Sequence, residues 1–235
     1  MLLKLPMTTT LSGSITNTGY KVNENDPDNI VIDNNHILNS TIKNERKGVI
    51  TLNNNNLVNS DITNKNTGAI KITNENSLNG SITNTGGKGT ADNIVIDNNH
   101  ILNSTIKNDG SGTIVVNNNK ASSSINGDIT NSKDGNIAIN NSGTANSSKI
   151  TNSNAGKINI INTAVGDFQS AIDNDATSTG MIILDNQGTV DSTITNKNTG
   201  AIKITNTGTL GVLSKIPVMP VLPPPTILTS PTIMF

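Results

Sequence analysis

The chain contains no cysteine and no tryptophan, so neither a disulfide framework nor a thiolate metal site holds it together. Aromatic residues number three: Tyr20, Phe168 and Phe235. A conventional globular core needs more large apolar side chains than this. Arginine occurs once, at Arg46, and the net charge is −1 over 235 residues. No basic surface is available to follow a phosphate backbone, and no nucleic-acid partner is expected. Helical membrane insertion by this chain is not expected either, because its most apolar stretch is broken by prolines.

Asparagine is what the chain has in quantity, at 42 residues. Low apolar content by itself points to disorder, but the order of the residues points elsewhere. DNIVIDNNHILNSTIKN runs from Asp28 to Asn44 and again, identically, from Asp92 to Asn108, an offset of 64. ITNKNTGAIKITN occurs at Ile62 to Asn74 and at Ile194 to Asn206, an offset of 132. A unit of about 65 residues has been copied.

A finer period lies inside it. Nine units align on Ile15, Ile42, Ile62, Ile82, Ile106, Ile129, Ile150, Ile172 and Ile194. Two residues later stands Asn in every unit: Asn17, Asn44, Asn64, Asn84, Asn108, Asn131, Asn152, Asn174 and Asn196. Two residues earlier stands Gly or Ser. Four earlier the residue is apolar in eight units, with Asn146 as the exception. A second segment of each unit reads I-x-[ILV]-x-N and ends on Asn34, Asn54, Asn74, Asn98, Asn118, Asn141, Asn162, Asn186 or Asn206. Both segments have the period of two that marks a β-strand. In seven units a Gly precedes the first Ile of the second segment by two residues, and Asp28 and Asp92 stand there in the copied pair. A turn requiring positive φ accounts for such a preference.

Units of 20 to 24 residues with two short strands cannot bury an apolar face alone. The pattern predicts an all-β chain: a β-solenoid, or parallel β-helix, of about nine coils. Inward Ile stacks on Ile and inward Asn on Asn. An unpaired buried amide costs roughly 1–3 kcal/mol, and a ladder recovers that by pairing each amide with the next. The structural ladder residues are expected to be Asn44, Asn64, Asn84, Asn108, Asn131 and Asn152, with Asn54, Asn74, Asn98, Asn118, Asn141 and Asn162. Residues 1–10 form an N-terminal segment with no clear signal peptide, residues 11–210 the solenoid, and residues 211–235 a Pro-rich apolar tail that caps the rod or is out of frame.

Chemistry-bearing residues are sparse. His36 and His100 fall at the same place in the copied segments, three coils apart, too far to share a metal ion. Asp33, Asp97 and Asp185 occupy equivalent outward positions but are also three and four coils apart. GGKGTAD, Gly86 to Asp92, falls one residue short of a calcium-binding nonapeptide, with Ala91 in place of Asp. No catalytic residue, cofactor or metal site is expected. A polysaccharide-processing β-helix enzyme is the alternative, and it lacks a carboxylate pair. An ice-binding face is another, and its outward row Thr16, Lys43, Thr63, Thr83, Lys107, Thr130, Thr151, Asp173 and Thr195 is interrupted by charge. Stretched turns carry binding in many repeat proteins, and one of them holds Tyr20. Val95, Val115 and Ala138 form an outward apolar strip on adjacent coils, a candidate contact patch.

The runs SITNTG, GAIKITNTGTL and STITNKNTGAIKITN resemble the repeat region of autotransporter passenger domains of Gram-negative bacteria, the Asn-rich type of Campylobacter and Helicobacter. The resemblance covers about residues 11 to 210. It implies a right-handed β-helix displayed outside the cell, acting without catalysis in adhesion, self-association or contact with host surfaces. The implied partners are a surface or glycoprotein ligand, or another copy of the chain. The implied place is the bacterial cell surface. The family's export signal and C-terminal barrel have no counterpart in this sequence, so the resemblance implies a passenger fragment or truncated product.

Overall fold

The computed structural model describes residues 2–18, 29–65, 67–86, 93–146, 149–153, 155–175, 179–197, 199–215 and 228–229. Among them there is no helix, and every strand pairing is parallel. One sheet of eleven strands runs from Leu2–Met7 through Asn29–Asn34 and its equivalents to Ile202–Asn206 and Leu228–Thr229. The other sheet has fourteen strands. Leu38–Asn44, Leu78–Asn84 and Ile101–Asn108 are continuous members of it, whereas Val58–Asn59 and Ile62–Asn64 are two halves of one rung. Each unit of sequence gives one strand to the eleven-stranded sheet and one strand, whole or broken in two, to the fourteen-stranded sheet.

Register carries the sequence alignment into space. Ile30 stands beside Ile50, then Ile70, Ile94, Ile114, Ile137, Ile158, Ile182 and Ile202. The facing sheet stacks Ile15, Ile42, Ile62, Ile82, Ile106, Ile129, Ile150, Ile172 and Ile194 in the same way. From Ile30 to Ile194 these side chains are 0–2% exposed, and the two Ile columns form one core between the sheets. Branched aliphatic side chains suit this position because they fill a pleated surface while repeating at the strand spacing of about 4.8 Å.

Leu2–Met7 adds a rung before the first aligned unit. Leu3 pairs with Ile30, Leu5 with Ile32 and Met7 with Asn34, so the strand continues both apolar columns and puts a buried methionine where later rungs have asparagine. At the other end Thr209–Lys215 pairs with Thr189–Asn196.

One sequence reading is corrected and another gains a second physical cause. The column headed by Leu102 and Ile125 continues through Ala145, and Asn146 is exposed. That unit has one extra residue between its two inward positions, which had placed Asn146 in the alignment. The small alanine lies between Ile125 and Phe168 in register, and Phe168 is fully buried. The glycine before the first Ile has positive φ at Gly48 and Gly68, and close approach is a second reason for it at this position. A Cβ on Gly156 would lie 1.6 Å from the Gly135 carbonyl oxygen, and one on Gly135 would lie 1.8 Å from that of Gly112. The exceptions Asp28 and Asp92 lie outside the described residues.

Candidate functional site

The interior polar chemistry sits in two amide columns, one at the end of each strand. In the first, Nδ2 of Asn34 donates to Oδ1 of Asn54 at 2.8 Å. The same bond repeats from Asn54 to Asn74, Asn98, Asn118, Asn141, Asn162, Asn186 and Asn206, at 2.7–2.9 Å throughout. The second amide hydrogen goes to turn carbonyls: Asn74 to that of Ile101, Asn162 to those of Gly166 and Thr189, Asn186 to those of Gly188 and Thr209. Oδ1 also accepts the N–H two residues on, as at Asn54 with Asn56 and Asn186 with Gly188. Asn fits because it has two donors, two acceptor sites and the short reach of an Asx turn.

The second column is looser. Its amide–amide bonds measure 3.0 Å from Asn44 to Asn64, 3.3 Å from Asn64 to Asn84, 3.3 Å from Asn108 to Asn131, 3.0 Å from Asn131 to Asn152 and 3.3 Å from Asn152 to Asn174. Asn84 donates to the Gly68 carbonyl, which interrupts the run expected to pass from Asn84 to Asn108. Asn108, Asn131 and Asn174 likewise reach the Gly112, Gly135 and Gly180 carbonyls. These side chains divide their donors between the ladder and the turn that leaves the strand. The number of residues from this column to the next inward Ile varies more, six from Asn64 to Ile70 and ten from Asn84 to Ile94.

Serines of the Gly/Ser position have a role that the sequence pattern did not disclose. Ser60 Oγ donates to the Leu38 carbonyl, Ser104 Oγ to that of Leu78, Ser170 Oγ to that of Ala145 and Ser192 Oγ to that of Ser170. Ser60 and Ser170 lie where their rungs break into two strands, whereas Ser104 and Ser192 lie inside continuous ones, and each buried hydroxyl is satisfied by a backbone carbonyl of the rung before.

Outside, further ladders appear. Asn59 Nδ2 donates to Asn39 Oδ1 at 3.0 Å, Asn79 to Asn59 at 2.8 Å, Asn103 to Asn79 at 3.0 Å and Asn126 to Asn103 at 2.7 Å. Across the turn, Asn55 donates to Asn35, Asn119 to Asn99, and Asn99 to the Glu75 carboxylate. On the adjoining face Asn117 donates to Asp97 and Asn140 to Asn117. The signal for the first of these was visible: Asn follows the first inward apolar residue in five consecutive units.

The charged groups are spread along the rod. Lys120 pairs with Glu75 at 3.1 Å, and with Asn99 holds that carboxyl below its ordinary value. Asp61 is lowered by the Ser81 hydroxyl and backbone N–H. Asp173 is the best-enclosed carboxylate, with Lys149 at 2.7 Å and Lys197 at 2.8 Å. Burial pushes it up, but the two ammonium groups outweigh burial and hold it below 3.8.

His36 meets Thr10 Oγ1 at 3.1 Å, while His100 is exposed in the equivalent turn three rungs on. Asp33, Asp97 and Asp185 do fall in one outward column, separated by the predicted three and four rungs. The row from Thr16 to Thr195 is likewise one column, with Lys43, Lys107 and Asp173 within it. Val95, Val115 and Ala138 are brought side by side, half-buried, between Lys71 and Asn159. Tyr20 and the segment from Gly87 to Asp92 lie outside the described residues. No family model matches the chain, and no curated protein or solved structure matches it.

Proposed function

We propose that the chain is a non-enzymatic structural and adhesive passenger: a rod of stacked rungs presenting its outer faces to a surface, to a glycoprotein or to other copies of itself. The observation that carries this reading is the regularity of the exterior. Outward side chains repeat from rung to rung in hydrogen-bonded columns, while titratable groups are distributed singly along the rod or tied up in ion pairs. A repetitive surface suits many weak contacts in parallel, whose combined strength grows with the number engaged. The likeness of the repeats to autotransporter passengers supports display at the bacterial cell surface.

The test is display of the folded chain on cells that do not otherwise adhere. Clumping or adherence to coated surfaces is expected to rise over cells carrying the display scaffold alone. Unchanged clumping and adherence, with the chain demonstrably on the surface, contradicts the proposal.

A further inference from the structure

Between the two columns headed by Asn35 and Asn39, the corner of the rod carries the half-buried side chains of Ile37, Leu57, Ser77 and Ile101 on successive rungs, with the exposed His36 and His100 beside them. The corner is thus striped: a row of amides broken by Glu75, a mainly aliphatic ridge broken by Ser77, and an unbroken row of amides from Asn39 to Asn126. We propose that this striped corner is the surface by which two copies of the chain pair side by side. This rests on the adhesive reading above and names its partner.

Three observations choose that occupant. The first is the repeat. The amides recur once per rung, at the strand spacing of about 4.8 Å, over the five rungs from Asn39 to Asn126. A peptide strand lying along the rod turns a side chain to the same face only every second residue, about 6.6 Å, and so falls out of step with the repeat of about 4.8 Å at the first rung. A second rod has the same repeat and stays in step along the whole stripe.

The second is self-complementarity. In the Asn59 to Asn103 stretch each amide uses one hydrogen and one acceptor site within its own ladder. Each keeps one donor and one acceptor for a facing group, and an identical facing ladder offers both. The third is charge. In the Asn35 and Asn39 columns the carboxylate is Glu75, already paired with Lys120, so like copies meet without repulsion. A glycan chain is the less favoured occupant because sugar rings are held largely by stacking on aromatic faces, and the described aromatic, Phe168, is fully buried.

The test is sedimentation velocity of the purified full chain over a range of concentrations, beside Asn59→Asp/Asn103→Asp and a control, Thr63→Asp/Thr130→Asp, on the outer Thr row. The amide-to-carboxylate change keeps shape and adds charge that faces its own image across the pair. The parent and the control are expected to form a concentration-dependent dimer. The stripe variant is expected to dissociate at neutral pH, with its association constant lowered at least about tenfold. Circular dichroism melts matching the parent's establish that the variant is folded. A parent that stays monomeric at every concentration overturns the proposal, as does a folded stripe variant that dimerises like the parent. A monomeric parent that still makes displaying cells adhere overturns the pairing and leaves the adhesive reading intact. A dimer whose display changes neither clumping nor adherence overturns the adhesive reading instead.

Discussion

A single interior asparagine carries more than its own bonds. Asn118 accepts from Asn98, donates to Asn141 and also reaches the Ser123 and Thr144 carbonyls. Asn118→Ala is expected to cost about 2–3 kcal/mol, because partners on both sides lose a bond while buried. Thr63→Ala, on the outer face, is expected to cost about 0.5 kcal/mol or less. Asn118→Asp separates charge from shape. A carboxyl there is desolvated and has lost its donors, so its folded pKa lies above its unfolded value. Stability is then greatest below the unfolded pKa and falls as pH rises through the folded one, and urea unfolding at pH 4 and pH 7 reads that slope. Asp173 has the opposite sign. Its folded pKa is depressed, so its contribution is full above 3.8 and is lost as pH falls through the lower folded value. Asp173→Asn is expected to lower stability by about 1–2 kcal/mol at pH 7, with the difference fading in acid. A pH-independent difference contradicts the ion-pair account.

At the scale of one strand, Ala145 and Phe168 are neighbours in register. Phe168→Ala is expected to cost about 3–5 kcal/mol and Ala145→Phe about 1–3, from a cavity and from overpacking respectively. The double exchange restores the total volume of the pair and should recover part of the loss, a coupling that urea unfolding of the four proteins measures. Gly156→Ala is expected to cost at least about 3 kcal/mol, since its Cβ meets a backbone carbonyl that cannot turn aside. The strands themselves were legible because each carries an Ile, a period of two and a terminal Asn. Ala145 was not, since one inserted residue moves the inward position and alanine carries little signal. Leu2–Met7 was hidden for a related reason: it has Met7 in place of the diagnostic asparagine. The outer amide columns were hard to see because inward and outward asparagines are the same residue type. Only the rung-to-rung register separates them.

The whole molecule is a one-dimensional stack in which each rung touches the next, so stability is a sum of rungs and of the interfaces between them. A lesion in one rung should therefore weaken its neighbours first and distant rungs least. Hydrogen exchange of backbone amides under native conditions measures this rung by rung in the parent, in Asn118→Ala and in Thr63→Ala. The prediction is a loss of protection in Asn118→Ala that is deepest around Ile94–Asn98 and Ile137–Asn141 and fades toward both ends, with Thr63→Ala close to the parent. Equal effects of the two substitutions, or a loss that spares the neighbouring rungs, would contradict a rod stitched together by its interior amides.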